Sequence, residues 1–216
     1  MTSDPFASIR RALGRSVPLA SPPTPPPINE PVVRLVHTDF GLSELFARMA
    51  RQNQTDVEGV FVDQLAQKLV EFLRAKGCRK LALPVSPFLK KLGVPAALHA
   101  AGFEVRLWDE LTLDETYDLD CGITDAYAGI AETGSIVIRA TPQHGRAISL
   151  VPPIHVAILQ PRDFVGDLVD LMAKLRKDGL SSGTVIISGP SKTADIEMSL
   201  VTGVHGPGVV KVFLLQ

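Results

Sequence analysis

Three short stretches carry the residue types from which a reactive or binding site could be built. In Ala131-Glu132-Thr133-Gly134-Ser135 a carboxylate stands on a glycine turn. There it could serve as nucleophile or base, or could accept bonds from its own turn and brace it. In Ser188-Gly189-Pro190-Ser191-Lys192-Thr193, followed by Asp195, hydroxyls and a lysine gather where a strand would give way to a helix. The free N–H groups of a helix start, with Lys192 as counter-charge, suit an anionic ligand. In His205-Gly206-Pro207 the imidazole could move a proton, or hold a carboxylate when protonated; a hydrogen-bonded structural histidine fits the same pattern. The candidate catalytic pair is therefore Glu132 and His205. The candidate ligand-binding set is Thr133, Gly134, Ser135, Ser188, Gly189, Ser191, Lys192, Thr193, Asp195 and Gly206.

Spacing narrows the chemistry. Lys192 follows only Gly189-Pro190-Ser191, which is not a Walker A loop, and Thr193 stands where a G-x-S-x-G elbow needs its last glycine. His155, Asp195, Glu197 and His205 lack any paired spacing such as H-x-x-x-H, so no metal is expected. His155, at a strand start after Pro152-Pro153, reads as structural.

The elements that must position these residues alternate between strand and helix. Thr184–Ser188 is a β-branched run ended by Gly189-Pro190, the pattern of an interior strand. Ser191 or Thr193 would cap a following helix, Asp195 and Glu197 would occupy its first turn, and Gly203 would stop it. Upstream, 40–51 and 57–76 read as helices, 80–85 as a strand, then a helical segment broken at Pro95, then a strand over 104–109. The small-residue stretch 121–131 is expected to be helical in its middle. Strands follow at 135–140 and 155–160, a helix at 163–177 and a last strand at 209–215. The sum is an α/β domain with a mostly parallel sheet flanked by helices. Ligands of such sheets bind outside the carboxyl ends of strands. The three stretches are thus expected to meet at that rim and present free amides to an anion, with Asp125 and Tyr127 lining the same cleft.

Composition sets the limits. The 216 residues are 45% hydrophobic and 21% charged, with a formal net charge of −1, which is globular and excludes a strongly basic nucleic-acid binder. Two cysteines, Cys78 and Cys121, are too few for an iron–sulfur cluster or a four-cysteine zinc site within one chain, and read as reduced thiols of a cytoplasmic protein. No apolar run reaches the ~20 residues of a membrane span, and no secretory signal is expected. Residues 2–15 offer one short basic helix with Phe6, Ile9 and Leu13 at helical spacing. The seven prolines of 16–31 make a linker, so the domains are expected as 1–31, arm and linker, and 32–216, the folded body.

Three patches in this order, GITDAYAGIAETGSIVI (122–138), ISLVPPIHVAI (148–158) and ISGPSKTADIEMSLVTGVHGP (187–207), resemble the LUD-domain family in its lactate-utilisation branch. The resemblance spans most of 32–216 and extends to the short basic N-terminal helix. It implies a fold like that of the sugar-phosphate isomerases and CoA transferases. It also implies a role in oxidising L-lactate to pyruvate beside partner proteins that carry the iron–sulfur clusters, this chain carrying no cofactor and taking a small anionic metabolite. The alternative is a stand-alone acyl-CoA transferase-like or sugar-phosphate isomerase-like enzyme. CoA transferases of the related fold use a glutamate in a Ser-Glu-Asn-Gly turn, which Ala131-Glu132-Thr133-Gly134 resembles with Ala131 and Thr133 in place of Ser and Asn. Glu132 would then attack a thioester and form an acyl anhydride.

Overall fold

A computed structural model describes residues 6–15, 41–194, 200–203 and 205–216, with single positions at 21, 24, 26, 27, 29, 34 and 36. The chain divides into two compact units, 1–33 and 34–216. In the first, helix α1 (Ala7–Ala12) leaves Ile9 and Leu13 more than half exposed.

The second unit is built on a six-stranded, all-parallel sheet. Its members are β1 (Asp56–Val60), β2 (Lys80–Leu83), β3 (Glu104–Leu107), β4 (Cys121–Asp125), β7 (Ile154–Leu159) and β12 (Val209–Leu215), in the order β1-β12-β7-β4-β2-β3. The central strands are mostly apolar because both faces are covered, with Thr124 on β4, His155 on β7 and Lys211 on β12 as buried polar exceptions. On β12, Phe213 and Leu215 face one core while Val212 and Leu214 face the other; on β7, Val156 and Ile158 divide from Ala157 and Leu159 in the same way.

Helices α3 (Leu65–Ala75), α4 (Pro87–Lys91) and α5 (Val94–Ala100) cover the first face with Leu65, Leu69, Leu73, Leu89, Val94 and Leu98. The second face meets α2 (Leu42–Gln52), through Phe46, Ala47 and Ala50, and a four-stranded sheet. That sheet comprises β5 (Ala128–Ile130), β6 (Ser135–Ala140), β8 (Phe164–Val165) and β9 (Gly183–Ile187), in the order β8-β5-β6-β9. Ile136 and Ile138 of β6 point into this second core, and Val137 between them packs outward on Leu171 and Leu175 of α7 (Leu168–Asp178). A short helix, α6 (Ala147–Leu150), covers the β4 and β2 side through Ile148, which packs with Ala82 and Leu119.

Several expectations are corrected. Residues 57–76 are not one helix: Asp56–Val60 pairs with β12 as an edge strand, and the apolar stripe becomes helical only from Leu65. The stretch 121–131 is not helical but forms β4 and β5. Its small residues let a central strand lie between close-packed layers, which leaves no period to read. The helix expected from residue 163 starts at Leu168, where the Asp167 carboxylate caps it by accepting from Asp170 N at 2.9 Å. Strand β9 is an edge, not an interior strand, and Thr184 and Ile186 alternate toward solvent. Finally, Lys192–Ala194 is strand β10, paired antiparallel with β11 (Leu200–Thr202), where a helix start was expected. Gly203 therefore follows a strand.

Candidate functional site

The structure brings part of the predicted set together. Thr133 Oγ1 and Ser135 Oγ share a hydrogen bond at 2.7 Å, and Ser135 Oγ shares another with Ser188 Oγ at 2.7 Å. Asn53, just after α2, donates from Nδ2 to Thr133 O at 2.8 Å. Gly134 and Gly189 both press on the end of α2. A Cβ on Gly134 would stand 2.1 Å from Ala50 N, and one on Gly189 would stand 2.2 Å from Asn53 O. Ser191 N donates to Pro207 O at 2.8 Å, and Gly203 N to Ser191 O at 2.9 Å, so the loops around Ser191 and Gly206 also adjoin.

Their location differs from the expectation. Gly208 N, just before β12, donates to Pro153 O, just before β7, and Asn53 precedes β1. The loops therefore lie beside the amino ends of the six-stranded sheet, not at its carboxyl rim. Two of their amides are already engaged, Glu132 N donating to Gly166 O at 3.0 Å and Ser191 N as above, and the hydroxyls of Thr133, Ser135 and Ser188 bond one another. Glu132 is half-buried, and Lys192 and His205 are exposed; among the described residues no side-chain hydrogen bond or ion pair joins them to these loops. Thr193 sits in β10 opposite Val201, and Asp195 lies outside the described residues.

A different group of residues converges at the carboxyl rim. Strand β2 runs into Pro84-Val85-Ser86, β4 ends at Asp125, and the turn 141–144 follows β6. Val85 N donates to Gln143 O at 2.9 Å and ties the first loop to the turn. Together they enclose a cavity of about 330 Å³ lined by Ser86, Asp125, Tyr127, Arg139, Thr141 and His144, among others. Asp125 and Tyr127 line a cleft, as the sequence suggested, but apart from the Glu132 turn.

Ser86 caps α4, accepting from Leu89 N at 3.2 Å, and its hydroxyl donates to Asp125 Oδ2 at 3.0 Å. Tyr127 donates from its hydroxyl to Asp178 Oδ2 at 2.7 Å. The Arg139 guanidinium lies over the Tyr127 ring, 4.7 Å from its centroid, and donates from Nη2 to Gly179 O at 2.7 Å. Burial and the Asp178 partner push the Tyr127 phenol up to about 12. Burial holds the His144 imidazole below its ordinary value, against the pull of Asp125. Deeper still, His155 Nε2 meets Thr124 Oγ1 at 2.9 Å, and burial, then the neighbouring His144, depresses His155 to about 3. Asp125 Oδ1, Arg139 Nε and His144 Nε2 are buried and have no hydrogen-bond partner. A polar atom left so costs roughly 1–3 kcal/mol, so this packed polar wall is a local cost to stability beside the cavity.

A larger open groove of about 880 Å³ adjoins this cavity through the shared residues Arg139 and Thr141. Its walls mix Trp108, Leu113, Leu150 and Leu180 with the Arg146 guanidinium. Ser86, Arg139 and His144 were not among the site residues expected from sequence, where Arg139 read only as an outward-facing residue of the 135–140 strand. A Ser-Pro pair opening a helix and an aspartate closing a buried strand are the signals that point to two walls of this site.

An open parallel sheet flanked by helices, with a cavity at its carboxyl rim, defines an α/β architecture. A crystal structure of a DUF162 family protein from Deinococcus radiodurans shares this fold, with a TM-score of 0.59 and 20% identity over 81% of this chain and 96% of that one. Residues 43–215 match the LUD domain model, and the chain belongs to that family. It is similar to lactate utilization protein C of Exiguobacterium sp., 34% identical over 96% of this chain and 93% of that protein. It is also similar to lactate utilization protein C of Halalkalibacterium halodurans, 30% identical over 79% of this chain and 77% of that one.

Proposed function

We propose that this protein is a non-redox component of an L-lactate utilisation system, in which lactate is oxidised to pyruvate. The observation that carries the reading is the nearly end-to-end likeness to lactate utilization protein C, at 34% identity. Two further facts support it. Both cysteines are buried, and two thiols are too few to ligate an iron–sulfur cluster, so electrons would pass through clusters on partner subunits. The carboxyl-rim cavity offers a guanidinium to a small anion. Among the described residues no helix is long and apolar enough to cross a membrane, consistent with work in the cytoplasm.

The test is genetic and biochemical. Deleting the gene is expected to abolish growth on L-lactate as sole carbon source, with rescue by the wild-type gene. The tagged protein is expected to co-purify with iron–sulfur proteins. Undiminished growth of the deletion strain refutes the role. Rescue by Glu132→Gln separates this reading from an enzyme that uses Glu132 as nucleophile or base, because the substitution keeps size and removes the charge. Failure of that variant, folded and expressed normally, would favour the enzymatic alternative.

A further inference from the structure

We propose that the open groove bounded by Trp108, Leu113, Leu150, Leu180 and the Arg139 and Arg146 guanidiniums is the interface of a two-fold homodimer. In it the acidic, apolar segment 109–118 of each protomer lies against the arginines of the other.

The groove has the composition of an interface centre and nothing covering it. Leu180 is 85% exposed, Leu113 61% and Leu150 40%, and all three line the same space of about 880 Å³. Apolar side chains gathered so, instead of scattered singly, mark a surface that another molecule covers. Tryptophan, leucine and two arginines stand there, with no lysine, aspartate or glutamate among the described residues that line it. Interface centres favour tryptophan and arginine and are poor in lysine and carboxylates. The positive charge is unanswered: Arg146 is exposed, and among the described residues its guanidinium makes no hydrogen bond or ion pair.

The occupant must bring carboxylates beside apolar side chains, and the chain carries such a segment on the groove's own margin. Residues 109–118, DELTLDETYD, hold five acids and no base, and Leu113 of this segment lines the groove. Glu110 and Glu115 are engaged by Arg106. The Asp114 and Asp118 carboxylates are exposed and, among the described residues, have no hydrogen-bond or ion-pair partner. Tyr117 between them is 71% exposed. A surface with an acidic, apolar margin next to a basic, apolar floor is complementary to its own copy. A two-fold axis through the groove sets each margin on the other's floor, which is the reciprocal contact of an isologous interface. The arm is no substitute, since residues 6–15 carry three arginines and no acid. Arg139 and Thr141 also line the carboxyl-rim cavity, so dimerisation would place the partner protomer beside it.

Sedimentation velocity of the full chain tests this. A monomer–dimer equilibrium is expected over ~1–100 μM, weakening as salt screens the charges. Leu180→Ser, Arg146→Glu and the pair Asp114→Lys with Asp118→Lys are each expected to weaken association at least about tenfold. All four positions are exposed, so circular dichroism spectra should stay unchanged. Combining Arg146→Glu with Asp114→Lys and Asp118→Lys reverses both sides of the contact, and is expected to associate at least about fivefold more tightly than either parent variant. A chain that stays monomeric at ~100 μM overturns the proposal. So does a dimer indifferent to Leu180→Ser and Arg146→Glu, which would lie on another face, and so does a charge swap that recovers nothing. If the wild type is monomeric and Leu180→Ser and Arg146→Glu release a co-purifying protein, the groove belongs to that protein and the second copy is refuted.

Discussion

The glycine of the Ala-Glu-Thr-Gly turn gives the sharpest test of what that motif is for. Gly134 has φ +64, and a Cβ there would stand 2.1 Å from Ala50 N and 2.5 Å from both Ala50 Cα and Met49 C. These are backbone atoms of α2 and cannot swing aside. Two costs follow for Gly134→Ala: roughly 1–2 kcal/mol for placing an L side chain in the left-handed region, and a further ~1–3 kcal/mol for forcing turn and helix apart. Gly77→Ala supplies the control, because φ is +70 there and nothing lies within 4 Å of the added Cβ. It meets the first cost alone. Urea denaturation with unchanged slopes should therefore place Gly134→Ala below Gly77→Ala by about 1–3 kcal/mol, a large fraction of the ~5–15 kcal/mol that holds a domain of this kind together. Equal losses in the two variants would show that the turn is not wedged on α2. The glycine of the motif would then need another explanation, and the case for chemistry at Glu132 would strengthen.

Three further outcomes are expected. His155 has its pKa depressed to about 3 by burial, whereas in the unfolded chain it lies near ~6.5. Between those values only the unfolded state binds the proton, so stability is intact above about pH 6.5 and falls by about 1.4 kcal/mol per pH unit on acidification. His155→Gln should flatten that slope in urea melts at pH 7, 5 and 4, and an unchanged slope would acquit His155. Lys211, buried between Asp56 at 2.9 Å and Glu58 at 2.8 Å, keeps two carboxylates apart. Lys211→Met should cost about 1–3 kcal/mol, since both partners are partly solvated, and adding Glu58→Gln should recover part of it in a double-mutant cycle. Ser86→Ala removes the cap of α4 and one partner of Asp125, and is expected to cost about 1 kcal/mol in thermal or urea unfolding.

Much of the framework was legible because burial writes itself into sequence. The runs at 81–83, 136–138, 156–159 and 212–215 are apolar on consecutive positions, as a strand covered on both faces requires. The arm's short helix and the helix at 42–52 likewise follow from local spacing. The misreadings share a cause. Cys121–Asp125 and Ala128–Ile130 are strands built from small residues, whose conformation is imposed by the sheets around them rather than by propensity. Ser191 and Thr193 have the chemistry of helix caps, yet Lys192–Ala194 pairs with Leu200–Thr202, and no local signal marks that partner.

The sequence by itself determined the family, the α/β class, the absence of enough thiols for a cluster, and the neighbourhood of Thr133, Ser135 and Ser188, since those follow from ordered motifs and composition. Only the tertiary structure decided at which end of the sheet these loops lie and that the Glu132 and Ser191 amides are already bonded. It also decided that Ser86, Asp125, Arg139 and His144, spread over 59 positions of chain, face one cavity. The physical reason is that a site's polarity and desolvation come from which walls meet. Parallel strands joined by crossovers bring together residues whose separation along the chain carries no trace of that meeting.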